Sequence, residues 1–296
     1  MILDINKLSE ADIRQFPGIE VISVSIEGGI TRVKLDQVAR LIKENDAIKL
    51  VLVAEQSAEL KEGQISDLNI LDGVPHLRHL AILAFGDKRL ETLKGVEHLK
   101  NLISFSLQGF YKKDIDLRLL QNADAIERLE LEFGISGERQ LDFVNTLSNL
   151  KELKVSTIDL SEMRLNRHLK TLKVNNTLKH PELLPMVFPG LKSLIIHFAK
   201  GLTSFDFLSS IPSLENLTIG DTKKLFSLPQ LENAYKITSL TLSNVSNFNN
   251  WTSIFQLSNL VELNILGPSK ISKEEVLKFE SLPNLKHVKV SSLGIG

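Results

Sequence analysis

One apolar triplet, spaced i, i+3, i+5, recurs down nearly the whole chain. It reads Leu102/Phe105/Leu107, Ile126/Leu129/Leu131, Leu150/Leu153/Val155 and Leu169/Leu172/Val174. It continues as Leu191/Leu194/Ile196, Leu214/Leu217/Ile219, Ile237/Leu240/Leu242, Leu260/Leu263/Ile265 and Leu285/Val288/Val290. Looser copies precede these: Ile19/Ile22/Val24, Ile48/Val51/Val53 and Leu77/Leu80/Ile82. Copies start 23 residues apart from Leu191 to Leu260, 19 to 24 apart from Leu102 to Leu191, and 29 apart in the first two steps. A fixed period of this size marks a stacked-repeat architecture. The last two members of each triplet are two residues apart, so both point to one face of a short strand; the first marks the turn into it. A lone repeat buries about six apolar side chains, each contributing roughly 1.5–3 kcal/mol, while ordering its backbone costs roughly 1–2 kcal/mol per residue. The ordering cost wins for an isolated unit. Only stacking, which shares the core between neighbours, stabilises the array.

The segments Ile65-Ser-Asp-Leu68-Asn-Ile-Leu71 leading to Val74-Pro-His-Leu77, and Leu202-Thr-Ser-Phe205-Asp-Phe-Leu208 leading to Ile211-Pro-Ser-Leu214, carry a family resemblance. The chain resembles leucine-rich repeat proteins of the internalin-type and SDS22-like class, closely over residues 65–292 and loosely over 1–64. The resemblance implies an α/β fold: a right-handed, curved solenoid of about twelve irregular repeats, with a parallel β-sheet on the concave face and helices or 3-10 turns on the convex face. It also implies protein recognition as the commonest role. One departure stands out. The asparagine usual just after the strand is present as Asn176 and Asn244, with Asp221 close in kind, but Phe133, Phe198 and Gly267 stand at the equivalent places elsewhere. A regular asparagine ladder at that position is not expected.

The whole chain, 1–296, reads as a single domain. Residues 1–18 form an N-terminal cap, with a helix over 9–16 capped by Ser9 and stopped by Pro17-Gly18. Residues 19–64 hold longer repeats, with an α-helix over 31–45 in which Leu35, Val38 and Ile42 fall at helical spacing. Residues 65–292 hold shorter repeats with room only for tight turns. Leu90, Leu93, Val96 and Leu99 give a partial helical pattern. Ser272 with Glu275 matches a capping box opening a helix to Phe279, with Val276, Leu277 and Phe279 facing inward. A last strand over 286–292 leaves a sheet edge that Lys286 and Lys289 blunt, or through which the chain self-associates weakly.

Cysteine is absent, which excludes disulfide-bonded caps. The start, Met-Ile-Leu-Asp, offers no apolar run of signal-peptide length, and no stretch reaches membrane-spanning length, so a cytoplasmic protein is expected, and the internalin-type resemblance implies a bacterial one. Net charge is −1, against a strong nucleic-acid or membrane field. The halves differ: 18 basic against 24 acidic residues in 1–150, and 17 against 12 in 151–296, giving −6 and +5.

Residues between the strand anchors point away from the core. Among them Arg128, Glu130, Glu152, Lys154, Lys173 and Asn175 bring charge of both signs beside Ile195 and His197. An apolar group beside charge is the composition of an interaction hot spot. Leu50, Leu52 and Leu83 fall on the same face by the triplet register, so that end is either covered by the N-terminal segment, the reading favoured for a soluble chain, or a sticky surface. Phe133 and Phe198 are read as packing inward, and Trp251, with Phe248 and Phe255, as core or convex side. Catalytic signals are weak. His76 and His79 lack a third ligand nearby, and phosphate-loop and nucleophile-elbow motifs are missing. The reading is a non-enzymatic module binding a protein or peptide, with no cofactor, metal, nucleic acid or membrane. The alternative is a regulatory subunit or immunity-type inhibitor of an enzyme or toxin.

Overall fold

A computed structural model describes residues 2–9, 18–25, 30–54, 64–65, 68–85, 90–135, 137–198, 201–202 and 204–291. The cap helix expected over 9–16 lies, apart from Ser9, outside the described residues. The chain falls into two compact units, Met1–Leu150 and Lys151–Gly296.

In the first unit the strands are β1 (Ile2–Asp4), β2 (Val21–Ser25), β3 (Ile30–Thr31), β4 (Lys49–Ala54), β5 (Gln64–Ile65), β6 (His79–Ala84), β7 (Ser104–Gly109) and β8 (Arg128–Leu131). Six of them form one parallel sheet in the order β1-β2-β4-β6-β7-β8; β3 and β5 make a small antiparallel pair. Two buried rows cross the sheet in register. Ile22, Leu50, Leu80, Phe105 and Leu129 form one, and Val24, Leu52, Ile82, Leu107 and Leu131 the other.

Leu50 and Leu52 are therefore core residues, and Val51 and Val53 face outward. This corrects the register read from the triplet by one position. Residues 50–53 are all apolar, so the pattern there does not distinguish the two phases, and a slip of one exchanges every side chain between faces. Pairing with Ile22 on one side and Leu80 on the other decides it. The outward face of β4 stays apolar, with the half-buried Val51 and Val53 in place of Leu50 and Leu52.

Behind the sheet, α1 (Arg32–Glu44) starts at Thr31, whose hydroxyl accepts from Lys34 N, and buries Leu35, Val38 and Ile42 as expected. The helical pattern at Leu90–Leu99 is not a helix. Val96 N donates to Leu93 O and Leu99 N to Val96 O, a run of turns whose three-residue step imitates helical spacing. Gly95 interrupts it with φ +108°, and a Cβ there would lie 2.6 Å from Leu68 O. Tight turns do not fill every later repeat either: α2 (Glu138–Thr146) occupies the repeat before Leu150 and buries Gln140, whose amide donates to Lys113 O and Ile115 O.

The second unit contains β9 (Glu152–Asp159), β10 (Thr171–Lys179), β11 (Ser193–His197), β12 (Asn216–Gly220), β13 (Ser239–Ser243), β14 (Glu262–Leu266) and β15 (His287–Val290), parallel and adjacent in that order. Leu153, Leu172, Leu194, Leu217, Leu240 and Leu263 stack as one buried row, and Val155, Val174, Ile196, Ile219, Leu242 and Ile265 as the next. Short 3-10 turns such as Asp206–Ser210 and Trp251–Gln256 line the back, beside a brief α3 (Leu184–Val187). Trp251 and Phe248 are buried against each other, centroids 4.6 Å apart, in keeping with the core reading. Helix α4 (Lys273–Lys278) opens on the expected reciprocal capping box of Ser272 and Glu275. Phe279 is buried, but Leu277 is 61 % exposed, against the inward expectation. A helix of under two turns keeps only one face on its neighbours. Val288 on β15 is 44 % exposed, whereas its counterparts on interior strands are sealed from both sides.

Candidate interaction face

The strands of the second unit alternate buried and outward side chains, so it presents regular outward rows; in the first unit Ala81 and Ser106, at outward positions of β6 and β7, are themselves buried. In the second unit the middle outward row runs Lys154, Lys173, Ile195, Thr218, Thr241, Asn264 and Lys289, strand by strand. The row before it runs Glu152, Thr171, Ser193, Asn216, Ser239, Glu262 and His287. Five of the sequence-derived candidates, Glu152, Lys154, Lys173, Ile195 and His197, thus share one face of one unit; Asn175 lies where the register breaks. Lys154 and Lys173 are direct cross-strand partners. The register between β9 and β10 shifts from Val174 to Thr177, so Asn175 and Asn176 occupy the stretch facing Ser156. Such a bulge bends the strand and re-aims its side chains. The buried Asn176 Oδ1 accepts no hydrogen bond within the protein.

Arg128 and Glu130 belong to the outward face of the first unit. Arg128 sits beside Ser104, which bonds His79 Nδ1 at 3.1 Å. Burial, and then the charges of Arg128 and Arg78, lower the His79 pKa below its ordinary value. Glu130 accepts from Ser106 Oγ at 3.2 Å, and Glu132 from Gly109 N at 2.6 Å.

At the C-terminal ends of the strands, Phe198, Asp221, Asn244 and Gly267 all take positive φ, between 53° and 74°. Their N–H groups continue the ladder: Phe198 N donates to Gly220 O, Asp221 N to Ser243 O and Asn244 N to Leu266 O. The side chains link as well. Asp221 accepts from Asn244 Nδ2 at 2.8 Å and meets His197 Nδ1 at 2.9 Å. The Asn244 bond, then that of His197, holds the Asp221 carboxyl below the usual carboxylate range. Phe198 is 56 % exposed, and Phe133 is exposed too. Both were expected to pack inward. Tyr111 takes the inward place instead, its ring centroid 4.6 Å from that of Phe133 at a 45° tilt and its hydroxyl accepting from Phe133 N. Burial pushes the Tyr111 hydroxyl up to about 12.

A second set of bonds stands at the entrances of the strands, where the sequence reading placed none. Asn101 donates to Pro75 O, Asn122 to Glu97 O, Asn149 to Asp124 O, Asn259 to Tyr235 O and Asn284 to Ser258 O. Each ties a repeat to the one before it. Four of the five stand immediately before the first anchor leucine, which is their sequence signal; Asn122 stands four residues before Ile126.

Among the described residues there is no cluster of three or more His, Cys, Asp or Glu side chains arranged to hold a metal, and no helix is long and apolar enough to cross a membrane. A cleft of about 460 Å³ lies behind the end of β10, lined by Leu178, Lys179, His180, Glu182, Asp206 and Phe207 among others. At its rim Asp159 is 2.7 Å from His180 Nδ1 and accepts from Ser161. Burial alone would raise that carboxyl; the Ser161 and His180 bonds outweigh it and bring its pKa to about 2.

Comparison with known proteins agrees on the fold. An internalin from Listeria monocytogenes superposes with a TM-score of 0.52 at 16 % identity, covering 96 % of this chain and 83 % of that one. The mouse RP105/MD-1 complex gives 0.51 at 14 % identity, over 92 % of this chain and 51 % of that one. A rat volume-regulated anion channel subunit, LRRC8D, is 30 % identical over 158 residues, which is 50 % of this chain and 16 % of that protein. No family model matches. Together with the stacked buried rows, these likenesses define a leucine-rich repeat fold.

Proposed function

We propose that the chain is a non-enzymatic protein-binding module and that its outward sheet faces carry the contact: Arg128 and Glu130 in the first unit, and Glu152, Lys154, Lys173, Asn175, Ile195 and His197 in the second. The observation that supports this is the register. Seven strands hold Lys, Ile, Thr, Asn and Ser side chains in fixed outward rows above a core with almost no exposure. A rigid surface of this kind loses little conformational entropy on binding. RP105, a similar fold, is found in complex with MD-1, which is consistent with such a role by analogy of fold. A weaker self-contact through the outer edge of β15, beside the exposed Lys286 and Lys289, belongs to the same reading. The test is the double variant Lys173→Glu/Ile195→Ala in an affinity capture from the source cell. The wild-type chain retains a specific protein, and the variant loses it at unchanged thermal stability. Full retention by the variant moves the contact off this face.

A further inference from the structure

We infer that the strand-end edge of the first unit docks an arginine-bearing segment of a partner protein, with the guanidinium seated against exposed phenylalanine rings and the Glu132 carboxylate. This contact goes beyond the outward rows proposed above and stands or falls apart from them.

Three phenylalanines stand where neighbouring strands end. Phe85 follows β6 directly, Phe110 follows β7 directly, and Phe133 comes two residues after β8. They are 56 %, 61 % and 39 % exposed. Strands lie about 4.8 Å apart, so the three ends span roughly 10 Å. Their placement is fixed by the backbone beneath them. Phe110 N donates to Ala84 O at 2.6 Å. Gly109 takes φ +91°, and a Cβ there would lie 3.0 Å from Phe85 Cδ1, so the Phe85 ring rests over that glycine. Phe133 N donates to the hydroxyl of the buried Tyr111, whose ring lies under that of Phe133 with centroids 4.6 Å apart. Clustered, well-positioned aromatic side chains are the residues that anchor protein interfaces.

Charge selects the partner. Glu132 accepts from Gly109 N at 2.6 Å, which sets its carboxylate at the glycine that the Phe85 ring covers, next in sequence to both Phe110 and, on its own strand, Phe133. A backbone N–H fixes the carboxylate without cancelling its charge. Among the described residues Glu132 has no ion pair and no second hydrogen bond. Lys112 faces Asp114 at 3.7 Å, Lys113 is engaged by other groups, and Arg128 is four residues back along the strand, roughly 13 Å away. Residues 1–150 carry 18 basic against 24 acidic residues. The edge therefore lacks a cation. A guanidinium supplies one in the form that fits best: its plane stacks on an aromatic face while its N–H groups donate to a carboxylate. An acidic group would be repelled by Glu132, and a purely apolar one would desolvate that charge without pairing it.

The experiment is selection of a phage-displayed random dodecapeptide library on the full chain, followed by fluorescence polarisation with the recovered peptides. The expected result is enrichment of arginine beside an apolar residue. Phe110→Ala weakens binding about two- to fivefold, and so does Glu132→Gln, which keeps an acceptor for Gly109 N. Thermal unfolding is unchanged in both, and Lys173→Glu/Ile195→Ala binds as the wild type does. Citrulline in place of the peptide's arginine removes binding, and added salt weakens it. Enrichment of apolar, acidic or lysine-only peptides overturns the inference. Peptides weakened by Phe110→Ala but indifferent to Glu132→Gln also overturn it, leaving an apolar contact alone. Peptides that depend on Lys173 and Ile195 and ignore Phe110 and Glu132 overturn it and leave the outward-face reading standing. No enrichment over empty support overturns it as well.

Discussion

Leu194 and Val288 hold the same place in their repeats, yet truncating them to alanine should have very different costs. Leu194 has no solvent exposure and sits in register between Leu172 and Leu217. Leu194→Ala leaves a cavity sealed on both sides by neighbouring repeats, and such changes cost about 2–5 kcal/mol. Val288 has Leu263 on one side only and is 44 % exposed. Val288→Ala removes about two carbons' worth of burial at roughly 0.8 kcal/mol each when fully buried; at about half burial the loss falls below about 1 kcal/mol. Urea unfolding followed by tryptophan emission measures both, because Trp251 is the only tryptophan and is buried in the same unit. The reasoning is refuted if the two variants lose equal stability, or if Leu194→Ala loses less than Val288→Ala. Either result would mean that stability does not come from sharing the interior between neighbours.

Gly267→Ala should destabilise by about 1–3 kcal/mol, since φ is +74° and the added Cβ runs into Asn244 Oδ1; adding Asn244→Ala should recover the steric part only, as a double-mutant cycle by denaturation would show. Asn259→Ala should cost about 1 kcal/mol by removing its bond to Tyr235 O, read by the same unfolding assay. Asp159 has a folded pKa of about 2, below its usual value of 3.8, so its contribution is present in full above about pH 4 and disappears as pH falls through about 2; the stability difference between wild type and Asp159→Asn should shrink over that window. Lys173→Glu/Ile195→Ala should leave the unfolding midpoint nearly unchanged while abolishing partner capture, because both side chains face outward.

The fold was legible from the apolar anchors because ten of the twelve triplets have a polar or small residue between the strand members, Leu52 and Ile195 being the exceptions, and the alternation shows which face is buried. It failed at 50–53, where Leu50, Val51, Leu52 and Val53 are equally apolar and only pairing with Ile22 and Leu80 resolves the phase. It failed again at Leu90–Leu99, where repeated turns and a helix share a three-residue step. Helix α2 escaped notice because its N-cap is Gly137, with no side-chain cap bond, and its inward face includes the polar Gln140. The candidate residues on the second unit's face followed from strand alternation alone. The bulge at Asn175–Asn176, the Asp221–Asn244 link and the entrance asparagines did not, since each depends on which repeat lies alongside. Phe198 was misplaced for a related reason: its positive φ turns the side chain out of the core, and nothing local in the sequence announces that conformation.

The chain contains no cysteine, so single substitutions to cysteine report side-chain direction without background. Thiol labelling of Asn216→Cys, Leu217→Cys, Thr218→Cys and Ile219→Cys on β12, with Leu50→Cys and Val51→Cys on β4, tests whether anchors face a shared interior and the residues between them face water. The account predicts fast labelling at positions 216, 218 and 51 and protection, relieved only by denaturant, at 217, 219 and 50. Uniform labelling along β12, or labelling in the opposite phase, would contradict it.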